Sequence, residues 1–437
     1  MRPGKKPQKF AAFVGIDWAD QKHDVCLAVP GSEDLERLQL QHRPEVLNEW
    51  IGTLRRRFRG RYVAVAVEQT RGGLVHSLLQ HEFLVLYLIN PSTSAKFRGA
   101  WKPSRAKDDI TDAELLVEIV RLHRDRLRPW YPDDVPTRKL TLQCEHRRKA
   151  VNFRVKLTNQ LRSALKAYYP LACEVCGDKL NSPMALRFLA KWPTLEALQK
   201  ARPATLKQFY YRLNSRYPKV IEERLEKIAT AEPLTTDEAI VESYAMQVLM
   251  LVDQIEAVQK HIARYDKAID ALFAEHPDRD IFASFPGTGK VFGPRLLAAF
   301  GTDRGKFADA QGMQTMSGIA PVIEASGKKH WTHRRWACVR FARQSFHEWA
   351  AESIRHSIWA RACYAAARDR GLGHHAAVRH LAFKWIRILF RCWQENKPYD
   401  EVAYLTTLKK RGSPLWETIK EHPQAVKTYR GESPVIA

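Results

Sequence analysis

Over its first 130 residues the chain switches repeatedly between two hydrophobic periods. Residues 11–18 (AAFVGIDW) are a mostly apolar run ending near Asp17, which predicts a buried strand. Residues 24–29 alternate well enough for a second strand before the turn pair Pro30-Gly31, and a third short strand is expected near Leu38–Leu40. Val46, Leu47, Trp50, Ile51 and Leu54 then step at helical spacing across 45–58. Residues 62–67 (YVAVAV) are apolar throughout and stop at Glu68, the pattern of a fully buried strand. A helix around 74–80 and a strand at 83–89 follow. At 107–116 (KDDITDAELL) a further helix opens, with Ala113, Leu115, Leu116, Ile119 and Val120 on its later turns. Three hairpin-like strands feeding a βαβ pattern predict a mixed sheet with helices packed on it.

Beyond residue 130 the pattern is helical. From Arg138 to Lys166 nine Lys or Arg face one acid, Glu145, while Leu157, Leu161 and Leu165 hold helical spacing; Pro170 ends the run. Residues 177–240 predict short helices broken by Pro183, Pro193, Pro203 and Pro218. Val248, Val252, Ile255, Val258, Ile262, Tyr265, Ile269 and Leu272 mark a long amphipathic helix with coiled-coil character. Packing on the 138–166 helix and packing on a partner subunit both remain open. Pro277 marks a boundary, so the expected division is 1–130, 131–280, 281–400 and a tail at 401–437.

Charge narrows the partners. Seventy-one Lys and Arg against 48 Asp and Glu leave a net charge of +23, which suits a polyanion, nucleic acid first. A membrane is not expected, because apolar runs such as Ala245–Val252 fall far short of the roughly 18 residues that suggest a span. The basic N-terminus precedes only a short apolar run that meets Asp17, so no signal peptide is expected. The seven scattered cysteines, with a single CxxC at Cys173 and Cys176, read as reduced thiols.

The charge is also concentrated. Lys96, Arg98, Lys102, Arg105 and Lys107 occur with no acid among them and with Phe97 and Trp101 interleaved, as in a basic loop that holds phosphates and stacks bases. Residues 327–347 again contain no acid: Lys328, Lys329, Arg334, Arg335, Arg340 and Arg343 alternate with Trp331, Trp336, Phe341 and Phe346. A solvated basic loop is the competing explanation for the first stretch; for the second, a buried-tryptophan core explains some of the aromatics but not the missing acids.

Asp17 and Glu68 close two buried strands, and a carboxylate at a core edge needs a partner. Asp109 and Asp112, at i and i+3, share a helix face. The four acids can converge where open α/β sheets place their ligands, at the strand ends, and a divalent metal is the usual answer to such mutual repulsion. Acids suiting the positive end of a helix dipole are the alternative. Residues 285–301 (FPGTGKVFGPRLLAAFG) are no phosphate-cradling loop, since Ser284 stands where Gly is needed and Val291 follows Lys290. They look more like a helix-hairpin-helix or an ordinary packing turn. Ser326, beside Gly327, is a candidate nucleophile that would need activation.

GID at 15–17, VE at 67–68 and K-x-D-x-x-DA at 107–113 resemble the RuvC-like, ribonuclease-H-fold domain of the DEDD transposases of bacterial insertion elements, relatives of the Piv DNA invertase. G-I-A-P…S-G at 318–327 and residues 374–393 resemble the C-terminal transposase domain of the same family. The resemblance implies an α/β plus α protein: a ribonuclease-H-fold mixed sheet, a helical or coiled-coil middle and a mostly helical C-terminal domain. It implies Mg²⁺ (or Mn²⁺) held by Asp17, Glu68, Asp109 and Asp112, with Ser326 attacking a DNA phosphate and becoming joined to the strand. It further implies donor and target DNA, a structured non-coding guide RNA, a homodimer pairing into a tetramer on DNA, and a bacterial cytoplasmic, nucleoid-associated setting. Asp108 departs from the family pattern, which has Thr there. A metal-dependent, junction-resolvase-like endonuclease would need the acids but not Ser326, with water as nucleophile. A nucleic-acid-binding protein without catalysis would need neither.

Overall fold

The computed structural model describes residues 9–68, 72–101, 109–213, 217–327 and 329–421, with backbone alone at 101 and 109–111. The chain divides into two compact units, Met1–Asp134 and Val135–Ala437.

In the first unit, β1 (Ala12–Asp17), β2 (Lys22–Ala28), β3 (Leu35–Gln41), β4 (Val63–Val67) and β5 (Leu84–Leu88) form one sheet. Its order is β3-β2-β1-β4-β5. β1, β2 and β3 are antiparallel neighbours, whereas β1, β4 and β5 run parallel, with Gly15 beside Ala66 and Ile16 beside Val67. The intervening helices α1 (Pro44–Arg57) and α2 (Gly73–Leu78) cover one face, burying Trp50, Ile51, Leu54 and Leu78 against Val14, Ile16 and Val65. Two more helices follow, α3 (Pro91–Trp101) and α4 (Asp109–His123). α4 covers the opposite face, where Leu116, Val117 and Val120 meet Phe13, Ala64 and Ala66. The expected mixed sheet with helices packed on it is therefore present.

One expectation needs correction: residues 91–101 are a helix and not a loop. Pro91 sits where a missing N–H does no harm, and the Asn90 side chain accepts from the Ser92 amide at 2.9 Å.

His23 on β2 is fully buried and shares a 2.9 Å hydrogen bond with His42. Burial, and then His42, hold its pKa down at about 4. The unfolded chain takes up this proton from about pH 6.5 downward, whereas the folded chain refuses it until about pH 4. Stability contributed above pH 6.5 is therefore lost progressively towards pH 4. The thermal midpoint should fall across this window, and His23→Gln should make the fall shallower; equal slopes in the two proteins would contradict the assignment.

The second unit begins with the 34-residue α5 (Val135–Tyr168). Short helices follow: α6 (Leu171–Val175), α7 (Pro183–Lys191), α8 (Leu195–Gln199), α9 (Pro203–Arg212) and α10 (Pro218–Thr230). The 37-residue α11 (Glu238–Ala274) then runs back antiparallel to α5. Arg147 pairs with Asp266 near one end, and Tyr168 stacks on Tyr244 near the other. The long amphipathic helix thus finds a partner within its own chain.

After α12 (Arg279–Ala283) come α13 (Gly289–Phe300), α14 (Ala310–Met316), a hairpin of β6 (Val322–Ser326) and β7 (Lys329–His333), and α15 (Arg340–Ser353). The described chain ends with α16 (Ile358–Asp369), α17 (His374–Glu395), α18 (Glu401–Lys410) and α19 (Pro414–Glu421). Four fully buried tryptophans lie in this core, and each indole N–H donates. Trp349 donates to the Pro286 carbonyl at 3.0 Å, Trp359 to the Tyr399 hydroxyl at 2.9 Å, Trp385 to Ser353 Oγ at 2.8 Å and Trp393 to the Gly301 carbonyl at 3.1 Å. The turn at 285–288 is held by this packing. No helix among the described residues is long and apolar enough to cross a membrane.

Candidate functional site

Alternation along a strand puts Phe13, Gly15 and Asp17 on one face, and Ala64, Ala66 and Glu68 on the same face of the neighbouring strand. Since Ile16 pairs with Val67, Asp17 and Glu68 are the next residues at the carboxyl ends of two parallel strands. α4 lies on this face unusually closely. A Cβ placed on Gly15 would stand 2.1 Å from the Ala113 carbonyl oxygen and 2.7 Å from the Val117 amide nitrogen. Only glycine lets the first turn of α4, with Asp112 in it, approach so near the strand that ends in Asp17.

Sequence reasoning missed two contributors to this edge. Asp24 sits directly across the antiparallel ladder from Asp17 and is buried, accepting from the Gln39 amide at 2.8 Å. Facing carboxylates repel, which adds to the demand for positive charge. The other is Ser94 of α3, whose hydroxyl donates to Glu68. One turn further along, Arg98 donates through Nε to Asp112 Oδ1 at 2.8 Å, and its Nη2 stands 2.7 Å from the same oxygen in the ion pair.

Asp17, Glu68 and Asp112 offer carboxylate oxygens only, the donor set that suits a hard divalent cation. Among the described residues no three His, Cys, Asp or Glu side chains are gathered closely enough to hold one metal ion. Asp109 lies outside that statement, because its side chain is not among those described.

Ser326 ends β6 and pairs in register with Lys329 at the start of β7, and Gly327 after it has φ +57°. Almost every residue of the hairpin is exposed, Ser326 included. Its base, by contrast, is pinned. Gly318 has φ +66°, and a Cβ there would lie 2.7 Å from Cys338 Sγ. The amides of Ile319 and Ala320 donate to the Gln314 carbonyl, and the Val339 amide donates to that of Met316 at 2.9 Å. The G-I-A-P motif thus anchors a projecting arm whose tip presents a serine hydroxyl.

Two family models match this chain, one in each part. The DEDD transposase family model, described as "Transposase", matches residues 14–170, and the model described as "Transposase IS116/IS110/IS902 family" matches residues 279–365. The putative transposase of the IS117 mini-circle of Streptomyces coelicolor is 31% identical over 398 residues, covering 90% of this chain and 96% of that protein. The chain belongs to the IS110 family of insertion-element transposases. An uncharacterized 44.8 kDa protein of IS116 from Streptomyces clavuligerus is 26% identical over 90% of this chain and 97% of its own length. An uncharacterized 42 kDa protein of IS900 from Mycobacterium paratuberculosis is 26% identical over 89% and 96%. The transposase is accordingly an enzyme that cuts and rejoins DNA, in a family generally dependent on divalent metal.

Its basic side chains have divided fates. Lys96, Lys329, Arg334 and Arg340 are exposed, and Arg334 lies over the Trp336 ring at 4.6 Å. Trp331 and Trp336 are themselves 44% and 71% exposed, whereas Phe346 is core. Arg335 is turned inward, donating to the Ala320 and Pro321 carbonyls at 3.3 Å. Arg343 is half-buried, and Arg98 faces Asp112. Phe97 packs against the α4 core and the His123 ring at 5.1 Å, which removes it from any base-stacking role in this arrangement. Lys102, Arg105, Lys107 and Lys328 lie outside the described residues. Of the α17 histidines, His374 shares a 2.9 Å hydrogen bond with the Tyr364 hydroxyl, His375 packs on the His347 ring at 5.5 Å, and burial lowers the pKa of His380.

Proposed function

We propose that the transposase exchanges DNA strands through a phosphoserine intermediate formed by Ser326. The Ser326 Oγ attacks a DNA phosphorus as its proton is lost. The phosphorus–oxygen bond to the neighbouring nucleotide breaks, and that oxygen leaves as a DNA hydroxyl. The new phosphoserine ester conserves the bond, so a DNA 3′ hydroxyl can later displace the serine and rejoin the strands; water in that role would leave a dead-end cut. Lys329, opposite Ser326, is positioned for a non-bridging phosphate oxygen, and Trp331 and Trp336 offer exposed faces to bases.

Asp17, Glu68, Asp109 and Asp112 would hold Mg²⁺ (or Mn²⁺), and such a cation, when bound, polarises a phosphate and favours departure of its oxygen. In this reading residues 1–130 supply the acids, 131–280 a helical support, and 281–400 the nucleophile; of the expected tail at 401–437, α18 and α19 instead pack into the last core through Leu405, Trp416 and Ile419. The net charge of +23 leaves room for a structured guide RNA as well as donor and target DNA. Strand exchange needs at least two copies, hence a dimer that pairs into a tetramer on DNA, acting at the bacterial nucleoid.

The observation that carries this reading is a serine at the exposed tip of an arm whose base is rigidly packed and whose following 20 residues hold no acid. The test is incubation of the full-length protein with Mg²⁺ and DNA spanning the ends of its element, followed by denaturing electrophoresis and peptide mass spectrometry. A protein–DNA adduct mapping to Ser326 is expected. Efficient cutting without any adduct would instead support water as the nucleophile. Sequencing the RNA that copurifies should return one recurrent structured species; its absence removes the guide.

A further inference from the structure

We propose that Arg98 and Ser94 are positioning residues of the acid edge, with Arg98 holding Asp112 in place of a divalent cation, so that cation binding frees α3. This rests on the reading that Asp112 and its companion acids hold the cation.

Ser94 and Arg98 stand four apart on α3 and share one helix face. That face addresses two acids from different elements: Glu68 after β4 and Asp112 in the first turn of α4. The arrangement is a built one. Ser94 is fully buried, while the Asp112 side chain is 8% exposed and that of Arg98 22%. A carboxylate so nearly buried needs a countercharge, and among the hydrogen bonds and ion pairs seen for Asp112, Arg98 supplies it.

Arg98 sets its Nε–H and the Nη2 nitrogen against the same oxygen, Oδ1, and so occupies the side of the carboxylate a cation would use there. A guanidinium and a divalent ion on one carboxylate also repel each other strongly in a partly buried setting. One must therefore leave when the other binds. Asp112 is thus neutralised without metal, and metal loading becomes coupled to movement of α3. Arg98, once released, rejoins Lys96 in the acid-free run that continues in sequence to Lys107, facing a DNA phosphate in place of Asp112.

The experiment titrates full-length protein with Mn²⁺ alone, reading free Mn²⁺ by electron paramagnetic resonance, in the unaltered protein, Arg98→Ala and Asp112→Asn. Arg98→Ala should bind about tenfold tighter than the unaltered protein, because its competitor is gone. In the unaltered protein, saturating Mn²⁺ should speed amide exchange at residues 92–101. Equal or weaker binding by Arg98→Ala overturns the proposal. If that variant does not fold, unchanged exchange at 92–101 on Mn²⁺ saturation overturns it just as well. Equal binding by Asp112→Asn and the unaltered protein would overturn the four-acid reading itself. Loss of binding in Asp112→Asn with no change in Arg98→Ala would overturn only the role of Arg98.

Discussion

Gly15→Ala is expected to destabilise the transposase by about 3 kcal/mol or more, an effect far beyond that of an ordinary glycine replacement. The added methyl would stand 2.1 Å from the Ala113 carbonyl oxygen, 2.7 Å from the Val117 nitrogen and 2.9 Å from Leu116 Cβ. Two of these are backbone atoms of α4, so no side-chain rotation relieves the overlap; the helix must lift from the sheet or slide along it. Lifting exposes Ala113, Leu116, Val117 and Val120, all nearly fully buried. Sliding moves Asp112 relative to Arg98 and the strand ends. If the chain accommodates the methyl by sliding, DNA cleavage should fall by about a hundredfold even where the fold survives, since an ångström of misplacement at a reacting centre has that effect. Gly52→Ala is the control: a Cβ there meets only the far end of Arg56 at 3.5 Å, and alanine in mid-helix should add up to about 1 kcal/mol of stability. Denaturant unfolding and a cleavage assay measure both. A Gly15→Ala protein as stable and active as the unaltered one would remove the close approach from the account of the site.

The contrast between these glycines shows what was legible in the sequence and what was not. Strands β1, β4 and β5 announced themselves because burial on both sides leaves uninterrupted apolar runs, and α1 and α11 because one-sided burial leaves a 3.6-residue stripe. The acids at Asp17 and Glu68 stood out for the same reason: they interrupt such runs. α3 did not announce itself. Its PSTSAKFRGAW has no stripe, and its helix rests on a local cap by Asn90 and on contacts that only the folded chain makes, Ser94 with Glu68 and Arg98 with Asp112. Its basic composition pointed outward while Arg98 points inward. The β6–β7 hairpin was invisible for the opposite reason. Alternation is a signature of one buried face, and this hairpin buries neither. The Ser-Gly pair at 326–327 was the one turn signal available there. Charge counting also failed for Arg335, because a basic side chain that caps carbonyls within its own motif looks identical in sequence to one waiting for phosphate.

Ser326→Ala should abolish the covalent protein–DNA adduct and lower strand cleavage by about a thousandfold or more, while leaving the thermal midpoint unchanged within about 1 °C. The second expectation makes the first informative. Ser326 is exposed at the end of β6 and is held in register by its backbone pairing with Lys329. Loss of its hydroxyl opens no cavity, and the pinned base at Gly318, Gln314 and Cys338 is untouched. DNA affinity should survive too, because Lys329, Arg334 and Arg340 and the open faces of Trp331 and Trp336 remain. Lys329→Ala, by comparison, should weaken DNA binding and reduce its salt dependence by roughly one phosphate contact, yet still form adduct at saturating DNA. The proposed roles of Ser326 as nucleophile and Lys329 as phosphate contact are thereby separated by which quantity each one moves. Should the Ser326→Ala protein still cut its DNA at a rate near that of the unaltered chain, with phosphate ends free of protein, the hairpin would be a binding arm and the attacking oxygen would have to come from water.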